Sequence, residues 1–122
     1  MKFLLLAGLG GFIGSVARAA VGVLLPTNGL ATILVNLLGA FLIGFLVQYF
    51  TAFWHSSFLK PFFIVGICGG FTTFSAFTFE LFGWLQSGKI FLGVIYLIVH
   101  LIGSLLLLIC GMKIASLIEF PG

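Results

Sequence analysis

Apolar residues in this chain form four long runs, at residues 3–25, 30–53, 62–85 and 90–117. A helix needs about 20 residues to cross the hydrocarbon core of a bilayer, and each run is long enough. Short stretches with turn-forming or polar residues separate the runs, at 26–29, 54–61 and 86–89. The pattern predicts an all-α integral membrane protein, with four transmembrane helices in a single domain over residues 1–122.

Composition supports this prediction and excludes several classes of function. Hydrophobic residues make up 62% of the chain and charged residues 6%, whereas about a quarter of a soluble domain is charged. The five basic residues are scattered, so nucleic acid is not an expected partner. Cys68 and Cys110 lie inside apolar runs without metal-ligand spacing, which indicates packing residues. No catalytic constellation is visible, and an enzyme is not expected.

The N-terminal run has features of a signal peptide, because Lys2 precedes an apolar stretch and small residues follow at 17–20. Since further spans follow, we interpret this run as the first transmembrane helix.

Four spans place Lys2, Lys60 and Lys113 on one face of the membrane and Arg18 and Lys89 toward the other. This charge bias is too weak to fix one orientation, so both insertions are plausible and a symmetric antiparallel homodimer is expected.

Small and polar residues recur every four positions in the first two helices. In the first helix the stripe is Gly10, Gly14, Arg18 and Gly22. The glycines favour close helix packing, while Arg18 either supplies positive potential at a pore mouth or anchors the helix at the interface. In the second helix Asn36 lies on such a face, where its amide could donate hydrogen bonds to an anion or bond a neighbouring helix.

The third run contains the least helix-like segment, residues 66–78. Gly69 and Gly70 are followed by hydroxyl and β-branched residues, which are poor formers of a helix centre. A broken helix is expected, with unwound backbone that lines a cavity. Phe74 and Phe77 would share a face, where positive ring edges could meet a bare anion, although ordinary packing is the alternative.

The fourth run places Tyr96, His100 and Ser104 on one helix face. Such a row of donors could replace the water around a small ion. Hydrogen bonding between helices is the alternative, and for His100 we favour a neutral core histidine with its hydrogen bonds satisfied. Glu80 follows the broken segment, and a carboxylate beside an anion path must be paired, protonated or exposed at a vestibule.

Three motifs occur in order along the chain: Gly10-Gly11-x-x-Gly14-x-x-x-Arg18, Val35-Asn36-x-x-Gly39-x-Phe41-x-x-Gly44 and Gly66-x-x-Gly69-Gly70-x-Thr72-Thr73-Phe74-Ser75-x-Phe77. Together they resemble the Fluc (CrcB-like) family of fluoride channels over nearly the whole chain. The resemblance implies a dual-topology antiparallel homodimer, with two fluoride pores and a structural sodium ion at its centre. It also implies a multi-pass protein of the bacterial plasma membrane, surrounded by lipid.

The resemblance assigns roles to individual residues. It places fluoride binding at the pore on Asn36, Phe74, Ser75, Phe77, Tyr96 and Ser104. It assigns sodium to the main-chain carbonyls of Gly69 and Thr72, and the motif arginine to Arg18. The chain departs from the family pattern at Ala76, where a hydroxyl is common, and at His100, where Asn or Ser is expected.

The function implied is passive export of fluoride from the cytoplasm, which lowers intracellular fluoride and protects against its toxicity. A proton-coupled small multidrug transporter has a similar length and span number, but its chemistry needs a carboxylate in the first helix, where this chain has none. A purely structural membrane subunit would explain the glycine stripes and would leave the segment from Gly69 to Phe77 unexplained.

Overall fold

A computed structural model of the chain describes residues 1–27, 29–53 and 58–118. The first two helices are α1 (Lys2–Leu24) and α2 (Leu30–Phe53). Helix α3 joins a π-helical stretch, Pro61–Cys68, to a short α-helical stretch, Gly69–Phe71. Helix α4 is Phe74–Gln86. Helix α5, Ile90–Ser116, is continuous and is π-helical over Val99–Gly103.

The described residues contain four helical spans long and apolar enough to cross a membrane: Lys2–Leu24, Leu30–Ala52, Pro61–Gln86 and Ile90–Ser116. This confirms the prediction of an all-helical protein with four spans. Gly29 and Gly88, in two of the connections, have φ angles of 78° and 75°, which glycine adopts without strain. The expected turn residue Asn28 and the polar stretch 54–57 lie outside the described residues.

Two residues inside the third span, between α3 and α4, are not helical. Thr72 has φ −83° and ψ 156°, and Thr73 has φ −149° and ψ 117°, so both residues are extended. The two preceding glycines give little helical stability, and the Thr73 side chain caps α4 by accepting a hydrogen bond from the Ala76 N–H at 3.2 Å. The local sequence therefore favours ending one helix and starting another here.

Glycines allow the helices to cross at close range. A Cβ atom on Gly10 or Gly14 of α1 would overlap the main chain of α3, at Phe62 and Ile67 respectively. Helix α2 meets α5 in the same way, because a Cβ on Gly44 would overlap the carbonyl of Leu108. These contacts are typical of membrane helices, which associate through small residues that let backbones approach.

The outward surface is largely apolar, as expected for helices that contact lipid. Phe12, Leu24 and Phe79 each expose 70% or more of their surface. Within the described residues, only a small set of large side chains is buried, including Val35 and Phe50. Of the two cysteines, both free thiols, Cys68 is buried and Cys110 is exposed.

Candidate functional site

Asn36 of α2 holds the main chain at the break. Its side-chain Nδ2 donates to the Thr73 carbonyl at 2.9 Å, and the Thr73 N–H donates to its Oδ1 at 2.7 Å. One amide therefore satisfies both polar groups of a peptide position that has left the helix, where an unpaired group would be costly. Asn36 therefore bonds main chain that belongs to neither α3 nor α4.

The same arrangement redirects two main-chain donors. In a continuous α-helix the Thr73 N–H would bond the Gly69 carbonyl, and the Ala76 N–H would bond the Thr72 carbonyl. Here the first N–H donates to Asn36 and the second to the Thr73 hydroxyl. The carbonyls of Gly69 and Thr72 are thereby released from these helical bonds and can serve as ligands for a cation.

A large groove runs beside the break, with a volume of about 770 Å³. Helix α2, the third span and α5 all contribute to its walls. Most of the residues that the sequence proposed for the site line this groove: Asn36, Gly69, Thr72, Phe74, Phe77 and Ser104. His100 also lines it. We refer to this space as the central groove.

Two phenylalanines lie at the start of α4, and their surroundings differ. Phe77 is 4% exposed, whereas Phe74 is 75% exposed. Their ring centroids are 5.5 Å apart with the planes tilted by 46°. Phe77 in turn stacks on Tyr96 with centroids 5.5 Å apart. Phe77 therefore presents a buried ring at the central groove, and Phe74 presents an exposed one.

Tyr96 is placed differently from the residues that line the central groove. Its hydroxyl donates to Glu80 Oε2, and the Thr32 hydroxyl donates to Glu80 Oε1 at 2.8 Å. We call these three residues the Glu80 cluster. Glu80 therefore accepts two hydrogen bonds, both from neutral hydroxyls. Glu80 also lines a recess of about 450 Å³ near Trp84 and Lys89.

Arg18 and Ser75 also lie apart from the central groove. Arg18 lines a smaller recess of about 250 Å³ together with Thr32, Thr73 and Ala76. Thr73 lines both this recess and the central groove, so the break forms part of a wall that the two spaces share. Ser75 is exposed, and its hydroxyl lies 3.2 Å from that of Thr73.

His100 is buried, but only one of its nitrogens is satisfied. Its Nδ1 lies 3.0 Å from the Tyr96 carbonyl. Its Nε2 is buried without a hydrogen-bond partner in the part of the chain that the structure describes. The expectation of a core histidine is met in position, whereas the expectation that its hydrogen bonds are satisfied is wrong for Nε2.

Sequence reasoning missed the roles of Thr32 and Thr73. Thr32 lies one turn before Asn36 on the same face of α2, and this spacing is the signal that could have indicated it. Thr73 precedes a helix start, a position where a threonine side chain commonly acts as a cap. Neither signal reveals the partner, because Glu80 and Asn36 are distant in sequence.

Comparison with known proteins gives a consistent result over most of the chain. Residues 5–112 match the family described as CrcB-like protein, Camphor Resistance (CrcB). A protein of Chlorobium phaeobacteroides (strain BS1) is 42% identical over 122 residues, covering 93% of each chain. One of Prosthecochloris aestuarii is 40% identical over 116 residues, covering 91% of each. Both relatives are named fluoride-specific ion channel FluC.

Proposed function

The chain belongs to the CrcB-like family, and from this premise we propose that it is a fluoride-selective ion channel that lets fluoride leave the cytoplasm passively. It is a multi-pass membrane protein and not an enzyme. The observation that carries the proposal is the joint position of Asn36 and Phe77, which both line the central groove where the third span is interrupted.

Fluoride is small and strongly hydrated, so a pore must offer donors that replace water and still release the ion. An amide nitrogen carries two hydrogens, and Asn36 uses one of them on the Thr73 carbonyl. We assign the second to fluoride. The positive ring edges of Phe74 and Phe77 and the hydroxyl of Ser104 continue the path through the central groove.

Tyr96, Ser75 and Arg18 contribute at the margins of this path. The Tyr96 hydroxyl, expected to donate to fluoride, donates to Glu80 in this structure, and we assign Tyr96 the support of the Phe77 ring. Ser75 is exposed next to Thr73 and is available at the entrance. Arg18 supplies positive potential in its recess on the far side of Thr73, which attracts anions toward the break.

We further propose that the working unit is an antiparallel homodimer with dual topology. The exposed ring of Phe74 and the open central groove are surfaces that a second copy would cover, leaving a narrow path. The break in the third span is then a broken helix buried in protein, which is where a membrane tolerates irregular backbone. Lipid surrounds the apolar outer faces.

A sodium ion at the dimer centre fits the residues that are present. The Gly69 and Thr72 carbonyls are released from their helical donors, and both residues line the central groove. Each of the two copies would supply the same pair of carbonyl oxygens. Carbonyls of unwound backbone bind sodium in this way in transporters. The ion would supply a fixed positive charge that holds the two copies together.

Passive export follows from the chemistry of hydrogen fluoride. The neutral acid crosses bilayers and ionises inside the cell, where the anion accumulates. The negative interior potential drives an anion outward, with about 2.3 kcal/mol per charge for each 100 mV. A selective channel in the bacterial plasma membrane therefore lowers intracellular fluoride and protects against its toxicity, driven by the membrane potential alone.

Ion efflux from liposomes tests this function. Purified protein is reconstituted into vesicles loaded with potassium fluoride or potassium chloride, valinomycin is added, and each anion is followed with a selective electrode. We expect fast fluoride release with negligible chloride release. Release of neither anion from well-folded protein, or equal release of both, would contradict the proposal.

Three phenylalanine variants locate the path in the same assay. Phe74→Ile and Phe77→Ile remove the ring edges from the central groove, and we expect each to suppress fluoride release. Phe79→Ile is the matched control, because Phe79 lies on the same helix, is 78% exposed and is not among the residues lining the groove. Unchanged release in the first two variants would exclude the phenylalanine path.

A further inference from the structure

Gly39 of α2 packs against Thr72, the first of the two extended residues at the break. Gly39 is buried, and a Cβ atom at its position would overlap the Cγ2 methyl of Thr72. The same Cβ would meet the Phe71 ring at 3.6 Å, an ordinary van der Waals distance. The missing side chain of Gly39 therefore leaves room for one particular methyl group, on a residue whose carbonyl we assign to sodium.

The other contacts of Thr72 hold it against α3. Its N–H and its side-chain hydroxyl both donate to the Cys68 carbonyl, at 3.1 and 2.9 Å. The hydroxyl and the methyl are both attached to Cβ, so binding the first to Cys68 and packing the second on Gly39 restricts the side chain to one rotamer. Thr72 is therefore held between α3 and α2.

Asn36 fixes the peptide group that carries the Thr72 carbonyl. This carbonyl and the Thr73 N–H belong to one planar trans peptide unit, so they point in opposite directions. The N–H donates to Asn36 Oδ1 at 2.7 Å, and the carbonyl therefore points away from the Asn36 amide. Helix α2 thus sets the direction of this oxygen through Asn36, and it contacts the side chain of the same residue through Gly39.

We propose that Gly39 is a positioning residue for sodium, which holds the Thr72 carbonyl in place by packing against the Thr72 methyl. The inference rests on the proposed function, and within it on the sodium ion at the dimer centre. Gly39 acts through Thr72 and does not touch the ion. Ligand atoms must be held within about 0.5 Å of their productive geometry, so a shift of Thr72 away from an added Cβ weakens sodium binding.

One methyl group can be exchanged across this contact. Gly39→Ala adds a carbon atom where the Thr72 methyl lies, and Thr72→Ser removes that methyl while it keeps the hydroxyl that donates to Cys68. With the methyl removed, the nearest Thr72 atom to the added carbon is Cβ, at 3.6 Å. The single variants therefore overpack the contact or leave a gap in it, whereas the double variant conserves its volume, which proteins tolerate best.

Sodium-dependent stability tests the proposal without ion flux. Purified protein is heated in mixtures of sodium chloride and N-methyl-D-glucamine chloride at constant ionic strength. The temperature at which half of it leaves its monodisperse peak in size-exclusion chromatography rises if sodium binds the folded protein. We expect the sodium concentration that gives half of this rise to be roughly tenfold higher in Gly39→Ala than in the unmodified protein, and higher in Thr72→Ser too. The double variant should return to within about twofold of the unmodified protein.

Gly44→Ala is the matched control. A Cβ on Gly44 of the same helix would also overlap a neighbour, but this neighbour is the Leu108 carbonyl of α5. The variant should lower the temperature in every salt mixture, leave the sodium concentration for half of the rise unchanged, and gain nothing from a second substitution, Thr72→Ser.

An unchanged sodium concentration in Gly39→Ala and Thr72→Ser would overturn the inference, as would a double variant that needs as much sodium as the single variants. If Gly39→Ala alone does not fold, Thr72→Ser and the double variant are compared, and the inference requires the double variant to need less sodium. The absence of any sodium effect in the unmodified protein would overturn both the sodium ion and the role of Gly39. Fluoride release from vesicles tests the proposed function separately and would not be affected by that result.

Discussion

The helix crossings and the helix break of this protein are held by different kinds of contact. At the crossing of α1 and α3, main chain lies against main chain, and Gly10 and Gly14 matter because they have no side chain. At the break, a side chain replaces the missing backbone partners, and Asn36 matters because of its amide. The crossing has no room for a larger side chain, whereas the break needs the donor and acceptor of one particular side chain.

This difference separates stability from function. A crossing can be disrupted by a single methyl group, and the whole helix arrangement then loses stability. The break can lose its hydrogen bonds while the crossings stay intact, because α1–α3 and α2–α5 do not depend on Asn36. We therefore expect crossing variants to fail in folding and break variants to fail in conduction. The following variants test that expectation, in order of decreasing effect.

The largest effect is expected for Gly14→Ala. The added Cβ would overlap the main chain at Ile67 and Phe71, so α1 and α3 must separate. Overpacking of this kind destabilises by about 1–3 kcal/mol. The measurement is the temperature at which half of the purified protein leaves its monodisperse peak in size-exclusion chromatography.

Gly8→Ala is the matched control, because a Cβ on Gly8 of the same helix meets nothing within 4 Å. It should change stability by less than about 0.5 kcal/mol. Equal losses in both variants would show that α1 is sensitive to any added methyl group, and the crossing would not be the cause.

A smaller effect on stability and a larger one on conduction are expected for Asn36→Leu. The change removes both hydrogen bonds that Asn36 makes with Thr73, and it removes the donor assigned to fluoride, a bond to a charged group worth about 1.5–3 kcal/mol. Fluoride release from vesicles should fall by roughly tenfold or more, since each 1.4 kcal/mol corresponds to a factor of ten.

Gln48→Leu makes the same kind of replacement, amide to leucine, farther along α2 and away from the central groove. It should conduct as the unmodified protein does. If Asn36→Leu and Gln48→Leu conduct equally well, the clamp on Thr73 is not needed for the path.

The smallest effect is expected for Thr32→Val. The substitution keeps the shape of the side chain and removes one hydroxyl from the Glu80 cluster, while the Tyr96 hydroxyl still donates to the carboxylate. Fluoride release should fall about twofold to tenfold, in line with the net contribution of one hydrogen bond.

Thr51→Val is the control, because the exposed Thr51 hydroxyl bonds only the Val47 carbonyl of its own helix among the described bonds. A loss as large as that of Asn36→Leu would mean that the Glu80 cluster, not the break, limits conduction.

The helix crossings could be predicted from the sequence, because they depend on the periodicity of residues along one helix. Glycine every fourth residue in α1 predicts a face for close packing, and four apolar runs predict four spans. Both follow from spacing along one helix and need no knowledge of the partner. The confirmed part of the prediction, an all-helical membrane protein with four spans, is of this kind.

The contacts at the break could not be predicted from the sequence, because they join residues that are far apart in the chain. Asn36 and Thr73 are separated by 37 positions, and sequence alone leaves open whether the amide meets an anion or a helix. The pairing of Glu80 with Thr32, across 48 positions, was hidden for the same reason. The single bond of His100 depends on the tautomer, which spacing does not determine.

The reversal potential in a planar bilayer tests the central claim most directly. Fluoride bathes one side and chloride the other at equal concentration, without a gradient of protons or sodium. The account predicts a steady current carried by fluoride alone, which reverses far from zero in the direction set by the fluoride gradient. A reversal near zero would show that chloride passes equally well, and the absence of current in protein that still moves fluoride in vesicles would indicate a transporter instead of a channel.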